Sequence, residues 1–138
     1  MALFFPFEVH TPRRLFFNES VEIIVLTLTD GEVAVYADHV PFAAPTVPCL
    51  LRIRDKKGNW KIAFADKGIL EVKERKAVLI SETVEWAEDI DVQRAQMAKE
   101  RAEEILREGG MKLEMEKAAS SLRRANMRIK IKNERPEN

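Results

Sequence analysis

The sequence predicts an α+β protein, with an N-terminal flattened β-sandwich of about ten strands and a C-terminal antiparallel two-helix hairpin. Up to about Ile80 the apolar residues recur at every second position or in short runs, whereas beyond Asp91 they recur at every third or fourth. Turn residues divide the first part into short segments, and Gly109-Gly110 divides the second. We therefore expect residues 1–85 to form the sandwich and residues 86–138 to form the hairpin.

β-branched and aromatic residues mark a series of short strands in the first domain. The predicted strands span residues 7–9, 15–17, 21–28, 33–36, 50–54, 60–64, 69–72 and 77–80. Segments rich in Gly, Asn, Asp, Pro and charged residues separate them and favour turns. The polar residues 18–20, for example, divide the second predicted strand from the third. Short strands at this spacing indicate a sandwich or flattened barrel and not a parallel α/β sheet.

Two helices are predicted in the second domain, over residues 90–107 and about 111–130, because apolar residues share one face of each segment. Asp89 or Asp91 can cap the first helix, and Gly109-Gly110 can end it. Its apolar stripe consists of Ala95, Ala98, Ala102 and Ile105. The stripe of the second helix consists of Met115, Ala118, Leu122, Ala125 and Ile129. A two-glycine turn between such helices predicts an antiparallel hairpin.

The hairpin should be weak, because its seam is mostly Ala. Burial of apolar surface contributes about 25 cal/mol per Å², and Ala removes far less surface from water than Leu. We therefore expect that the hairpin can open. The tail, residues 133–138, has no apolar residue and should fray.

Composition and charge disfavour several classes of partner. Lys and Arg balance Asp and Glu at a net charge of zero, so no overall field attracts nucleic acid or an acidic membrane. No apolar run approaches the ~20 residues needed to cross a bilayer, so direct membrane insertion is not expected. The single cysteine, Cys49, excludes an internal disulfide and is expected to be a small buried thiol. Proteins and small ligands are the expected partners.

Catalytic and metal chemistry are not indicated either. His10 and His39 are the only histidines, and neither belongs to a recognisable nucleophile–base motif. Two histidines and one cysteine without short ligand spacing make a poor zinc site, and no phosphate loop of the GxxxxGK type occurs. The sequence therefore predicts no catalytic residue and no metal site.

Arginines in the two helices are the best candidates for a binding site. About 100° of rotation per residue places Asp91, Arg94 and Arg101 within a sector of roughly 80° on the first helix. Arg124 and Arg128 share a face of the second. Four converging guanidiniums would repel one another, and an anionic ligand such as a nucleotide triphosphate would resolve that repulsion. The alternative is that these are ordinary solvated arginines, paired with Glu100, Glu103 and Glu104.

The motifs of both halves, in their order, resemble the epsilon subunit of the rotary ATP synthase, of the bacterial ATP-binding kind. In the front half the resemblance lies in residues 30–36, read Asp-Gly-Glu-Val-Ala-Val-Tyr, in His39-Val40-Pro41, and in residues 67–72, read Lys-Gly-Ile-Leu-Glu-Val. In the back half it lies in Ile90-Asp91-x-x-Arg94-Ala95. The resemblance implies the fold predicted above.

The resemblance also implies a function. The chain would be a non-catalytic rotor subunit at the cytoplasmic face of the cell membrane, with its sandwich on the gamma subunit and the membrane rotor ring. Glu32 and His39 would lie on turns near that ring. The hairpin would fold down on the sandwich or extend along gamma toward the catalytic alpha and beta subunits. The extended form would block ATP hydrolysis.

The resemblance further implies that the folded-down hairpin binds ATP as a regulatory ligand, and it does not decide whether magnesium takes part. Adenine would be contacted by Glu85, Ile90, Asp91 and Ala95. The phosphates would be contacted by Arg94, Arg101, Arg124 and Arg128.

Two other functions compete with this one. A stand-alone ATP-sensing interaction module would act without any synthase partner. A nucleic-acid binder would use the basic residues of the last helix, which are Arg123, Arg124, Arg128, Lys130 and Lys132. That helix has no aromatic residue on which bases could stack, which argues against nucleic acid as a partner.

Overall fold

The computed structural model describes residues 3–135, and it has the predicted architecture of a β-sandwich followed by two helices. The strands are β1 (Phe5–His10), β2 (Leu15–Leu28), β3 (Gly31–Val35), β4 (Phe42–Thr46), β5 (Cys49–Asp55), β6 (Trp60–Ala65), β7 (Gly68–Lys73), β8 (Lys76–Ser81) and β9 (Val84–Trp86). A 3₁₀ turn (Ala87–Asp89) leads to α1 (Val92–Glu108) and α2 (Lys112–Lys132). The expected fraying of residues 136–138 lies outside the described part of the chain.

The sheet closes on itself through its longest strand. Its order is β1-β8-β7-β4-β2-β5-β6-β9, β3 pairs with β2, and β1 also pairs with β2. The first half of β2 pairs with β1, and the second half pairs with β3 and β5. A bulge between Val21 and Ile23 lies where β2 passes from one set of partners to the other. One strand thus joins the two layers of the sandwich.

Three details of the strand prediction were wrong. Residues 15–28 form one strand and not two, because the polar residues 18–20 keep their backbone paired with β1, which does not require apolar side chains. β4 was missed because Pro45 and two alanines give it little β-strand character. β9 was missed because it is only three residues long and pairs with β6 alone.

The main core lies between the layers of the sandwich. Phe7, Leu26, Leu51, Leu70 and Leu79 are fully buried there. Cys49 is buried as expected, and its burial raises the pKa of the thiol. The core belongs to the sandwich alone, because the buried residues of the helices lie elsewhere.

The hairpin docks on the sandwich through α2. Ile131 of α2 joins Ile62 and Phe64 of β6 and Ile90 in a second apolar cluster. α1 packs mainly on α2, and the seam between them is built from the buried residues Ala95, Ala102, Ala118 and Ala125. The alanine seam is as predicted. The structure is therefore that of a folded-down hairpin in which α2 carries most of the contact with the sandwich.

Candidate functional site

A cleft of about 1110 Å³ lies between the first half of α1, strand β9 and the turn that joins β1 to β2. Six of the eight residues predicted to bind ATP line it. They are Glu85, Asp91, Arg94, Ala95, Arg101 and Arg128. Spacing on the two helices had indicated Asp91, Arg94, Arg101 and Arg128, and the family resemblance had added Glu85 and Ala95.

Asp91 fixes the start of α1 at the mouth of the cleft. Its Oδ1 accepts a hydrogen bond from the Arg94 backbone N–H at 3.0 Å, and its carbonyl oxygen accepts one from Ala95 N–H at 3.1 Å. The helix thus begins at Val92 with Asp91 as its cap, which decides between the two predicted caps. Asp89 lies in the preceding 3₁₀ turn. This cap fixes the turn of α1 that carries Arg94.

Arg128 is held in position by the sandwich. Its Nε donates a hydrogen bond to Glu85 Oε1 at 2.6 Å, and its guanidinium lies 4.4 Å from the centre of the Phe64 ring. The two charged side chains are 25% and 33% exposed, so the pair is screened less than a surface pair. A guanidinium that is hydrogen-bonded and stacked in this way loses little conformational entropy when it binds an anion.

Arg124 and Ile90 do not line the cleft. Arg124 donates hydrogen bonds from its guanidinium to Ser120 Oγ at 2.6 Å and Ser121 Oγ at 3.3 Å. Its Nε lies 3.9 Å from the Oδ2 atom of Asp66, a buried residue at the end of β6. Ile90 is buried in the second apolar cluster. The structure therefore places three of the four predicted arginines, Arg94, Arg101 and Arg128, at one cleft.

The alternative explanation for these arginines was that they pair with glutamates on the helices, and the structure does not show such pairs among the described residues. Among residues 3–135, no ion pair joins Glu100, Glu103 or Glu104 to an arginine. Arg128 and Arg124 instead pair with acids of the sandwich. Arg94 and Arg101 form no ion pair within the same residues and are exposed to solvent in the cleft. Two guanidiniums on α1 are thus available to an anionic ligand.

Sequence reasoning missed the contribution of the β1–β2 turn. Thr11, Arg13 and Arg14 also line the cleft. The sequence marked these residues as a turn but gave no signal that the turn would meet α1, since that contact depends on the tertiary fold. With them the cleft has five arginines and four carboxylates, which are Glu82, Glu85, Asp89 and Asp91. Five arginines against four carboxylates leave the lining with a net charge of +1, and Arg94 and Arg101 are free of ion pairs among the described residues.

The two residues predicted to meet the rotor ring lie on β3, which pairs with β2, and in the loop that follows it. Glu32 is exposed on β3, opposite Thr27 of β2. His39 lies in the β3–β4 loop, where its Nδ1 donates to the Val40 carbonyl oxygen at 2.9 Å. Tyr36 and Val40 of that loop are 51% and 71% exposed. An exposed apolar loop of this kind is typical of an interaction surface.

Residues 3–135 contain no group of three or more His, Cys, Asp or Glu side chains that could hold a metal ion. Neither described helix is both long enough and apolar enough to traverse a bilayer.

Comparison with protein families gives two matches that together span nearly the whole chain. The family model described as "ATP synthase, Delta/Epsilon chain, beta-sandwich domain" matches residues 4–87. The one described as "ATP synthase, Delta/Epsilon chain, long alpha-helix domain" matches residues 88–133. The two matches meet between Ala87 and Glu88, within the 3₁₀ turn that precedes α1.

Individual proteins agree with the family matches. The ATP synthase epsilon chain of Caldicellulosiruptor bescii is 44% identical over 133 residues, which cover 96% of each chain. That of Caldanaerobacter subterraneus is 44% identical over 128 residues, which cover 92% of each chain.

Solved structures agree with the fold. A chain of the Euglena gracilis mitochondrial ATP synthase OSCP/F1/c-ring assembly aligns with a TM-score of 0.78 at 16% identity, over 87% of this chain and 76% of that one. A chain of the Tetrahymena thermophila ATP synthase central stalk and c-ring aligns with a TM-score of 0.69 at 11% identity, over 96% and 98%. At these identities the likeness concerns the fold alone.

Proposed function

The chain belongs to the ATP synthase delta/epsilon chain family, and we propose that it acts as a rotor subunit whose folded-down hairpin binds ATP as a regulatory ligand. It is a non-catalytic subunit of the complex, as its relatives are. In this role it couples rotation to catalysis and restrains ATP hydrolysis. The observation that supports ATP binding most directly is the arginine-lined cleft between α1 and the sandwich.

The cleft has the chemical groups that ATP needs. Arg94, Arg101 and Arg128 offer guanidiniums to the phosphates, and planar guanidiniums match phosphate oxygens with paired hydrogen bonds. Glu85, Asp91 and Ala95 lie at the same cavity and would contact the adenine. Ile90 is buried in the second apolar cluster and would hold the segment before α1 in place. Arg124 would reach the phosphates only after leaving Asp66 and the two serines.

ATP in the cleft would favour the folded-down hairpin, because the cavity exists only while α1 lies beside the sandwich. A ligand shifts such an equilibrium by the difference between its affinities for the two states. When ATP is scarce the hairpin would detach, extend toward the catalytic alpha and beta subunits and block hydrolysis. The position of the hairpin would thus depend on the ATP concentration and would adjust the rate of ATP hydrolysis.

The sandwich would connect the chain to the rest of the rotor. A row of neighbouring side chains crosses its outer face from Pro45 through Ile69, Ile80 and His10 to Leu15. Ile69 and Ile80 are 56% and 58% exposed, and Leu15 is 49% exposed. We assign this apolar row to the gamma subunit, and the β3–β4 loop with Glu32 and His39 to the rotor ring. The chain would then be a peripheral protein at the cytoplasmic face of the cell membrane.

Calorimetric titration of the isolated protein with ATP, GTP and ADP tests the ligand. We expect ATP to bind to the wild-type chain and binding to be lost in an Arg94→Ala, Arg128→Ala double variant. An Arg107→Ala, Arg135→Ala variant removes the same charge outside the cleft and should bind ATP as the wild type does. If the wild-type chain takes up no ATP at saturating concentration, the nucleotide part of the proposal fails.

A reconstituted enzyme core tests the rotor role separately. The chain should bind a gamma subunit and lower ATP hydrolysis. Absence of gamma binding together with unchanged hydrolysis would refute the rotor role. ATP binding without any effect on the synthase would instead favour a stand-alone ATP-sensing module.

A further inference from the structure

The nucleotide cleft has a second wall that does not belong to the hairpin. One side is α1, and the other includes the β1–β2 turn of the sandwich with Thr11, Arg13 and Arg14. α1 packs mainly on α2 and has little contact of its own with the strands. Among the described residues α1 meets the sandwich mainly through α2, so a ligand in the cleft would add a direct link between α1 and the strands.

The β1–β2 turn is held in shape by its own hydrogen bonds. The Thr11 backbone N–H donates to the Arg14 carbonyl oxygen at 2.9 Å, and the Arg14 backbone N–H donates to Thr11 Oγ1 at 3.3 Å. Thr11 Oγ1 in turn donates to the Arg14 carbonyl oxygen at 3.2 Å. The guanidinium of Arg14 also lies 5.3 Å from the centre of the Phe16 ring. Two arginines are thus presented to the cleft from a fixed turn and not from a mobile segment.

We propose that Arg13 and Arg14 bind the phosphate chain of the nucleotide, so that ATP bridges the sandwich directly to α1. This inference rests on the proposed function, because it takes ATP as the occupant of the cleft. It adds two binding residues to the site. It also explains how the ligand holds α1, the helix with less contact with the strands, against the sandwich. The turn contributes to the site through tertiary structure, since it lies about 80 residues before Arg94 in the chain.

The arginines that line the cleft support a bridging ligand. Arg13 and Arg14 on the turn line the same cavity as Arg94 and Arg101 on α1. Among residues 3–135 none of these four arginines takes part in an ion pair. A polyphosphate carries several negative charges and can accept hydrogen bonds from guanidiniums on both sides of the cleft at once. Such a ligand would join the arginines of α1 to those of the sandwich.

An Arg13→Gln, Arg14→Gln double variant of the full chain tests the bridge. ATP and AMP are titrated calorimetrically into this variant, the wild type and a matched control, Lys56→Gln, Lys57→Gln. The control removes two positive charges from the β5–β6 turn, which does not line the cleft. We expect ATP affinity to fall at least tenfold in the arginine variant and to stay within twofold in the control. AMP affinity should change much less, because AMP lacks the outer phosphates.

Hydrogen exchange with and without ATP provides an independent measurement. ATP should slow exchange in both α1 and residues 11–14 of the wild type, and the protection of α1 should be smaller in the arginine variant. Thermal melts monitored by circular dichroism verify that each variant is folded.

The outcomes separate this inference from the proposed function. Equal ATP affinity in the arginine variant and the wild type would overturn the bridge and leave ATP binding by the hairpin intact. An equal loss in the arginine and lysine variants would also overturn it, because the effect would then be one of general charge. If the wild type binds no ATP, both the proposed ligand and the bridge fail.

Discussion

Asp91 illustrates how one side chain can set the geometry of a site by fixing the start of a helix. Its carboxylate caps α1 by accepting the Arg94 N–H, and so defines the turn from which Arg94 extends into the cleft. Replacement of a capping Asp by Ala costs about 1 kcal/mol, whereas Asn caps about as well as Asp. We expect Asp91→Ala to destabilise α1 by about that amount and Asp91→Asn to have a much smaller effect.

Native-state hydrogen exchange of the α1 amides measures this effect, because α1 should open locally before the sandwich unfolds. Exchange of the β2 amides serves as an internal reference and should not change in either variant. Equal destabilisation of α1 by Ala and by Asn would mean that the charge of Asp91, and not its capping oxygen, is what stabilises the helix.

Gly68 is required because β7 and β8 approach each other closely at this position. A Cβ atom at this position would overlap the carbonyl oxygen of Ile80 and lie 2.8 Å from the Cα atom of Ser81. Both are backbone atoms, so the strain cannot be relieved by rotation of a side chain. Gly68→Ala should therefore destabilise the sandwich by about 3 kcal/mol, the upper range for overpacking.

Urea unfolding of Gly68→Ala beside Gly110→Ala checks this prediction. The nearest atom to a Cβ at position 110 is the side-chain Glu114 Oε2 at 3.4 Å, so the control should change the free energy of unfolding by less than about 1 kcal/mol. Comparable stability of the two variants would show that β7 and β8 can separate at Gly68 with little cost.

At the scale of secondary structure, the docking of α2 decides whether the hairpin stays on the sandwich. Ile131 is 1% exposed and packs with Phe64, Ile62 and Ile90. Truncation of a buried Ile to Ala costs about 2–5 kcal/mol. Because the main core lies within the sandwich, we expect Ile131→Ala to detach the hairpin without unfolding the strands.

Hydrogen exchange distinguishes detachment of the hairpin from unfolding of the whole chain. Amides of α1 and α2 should lose protection in Ile131→Ala, while those of β2 and β5 keep theirs. Leu113→Ala is a suitable control, because Leu113 is 60% exposed and should leave the hairpin in place. Simultaneous loss of protection in helices and strands would mean that hairpin and sandwich unfold as one unit.

Elements formed by local interactions could be predicted from the sequence, whereas elements that depend on long-range contacts could not. Both helices were located to within about two residues, because caps, glycines and the apolar stripe are all local signals. β9 was not predicted, since a three-residue strand exists only through its pairing with β6. For the same reason the sequence indicated Arg94, Arg101 and Arg128 but not Arg13 and Arg14, whose place at the cleft depends on the tertiary fold.

The molecule as a whole combines a sandwich that has its own core with a hairpin that is attached to the sandwich by few contacts. The sandwich has its own core and an exposed apolar face. The hairpin is attached to it by a small apolar cluster and by the pairs that Arg124 and Arg128 form with Asp66 and Glu85. Such an attachment can be broken at a cost that one bound ligand can offset. The fold thus suits a subunit that stays docked on its partners while one domain moves.

Ile131→Ala should consequently strengthen inhibition of ATP hydrolysis in a reconstituted enzyme core. A loss of about 2 kcal/mol from the folded-down state corresponds to roughly a thirtyfold shift of the equilibrium toward the extended state. Hydrolysis should fall below the wild-type rate at low ATP, and more ATP should be needed to restore it, because the ligand must now compensate for the lost docking contacts. Leu113→Ala should behave as the wild type. A rate that is unchanged or raised in Ile131→Ala would contradict control of inhibition by hairpin docking, since the same substitution releases the hairpin that is proposed to inhibit.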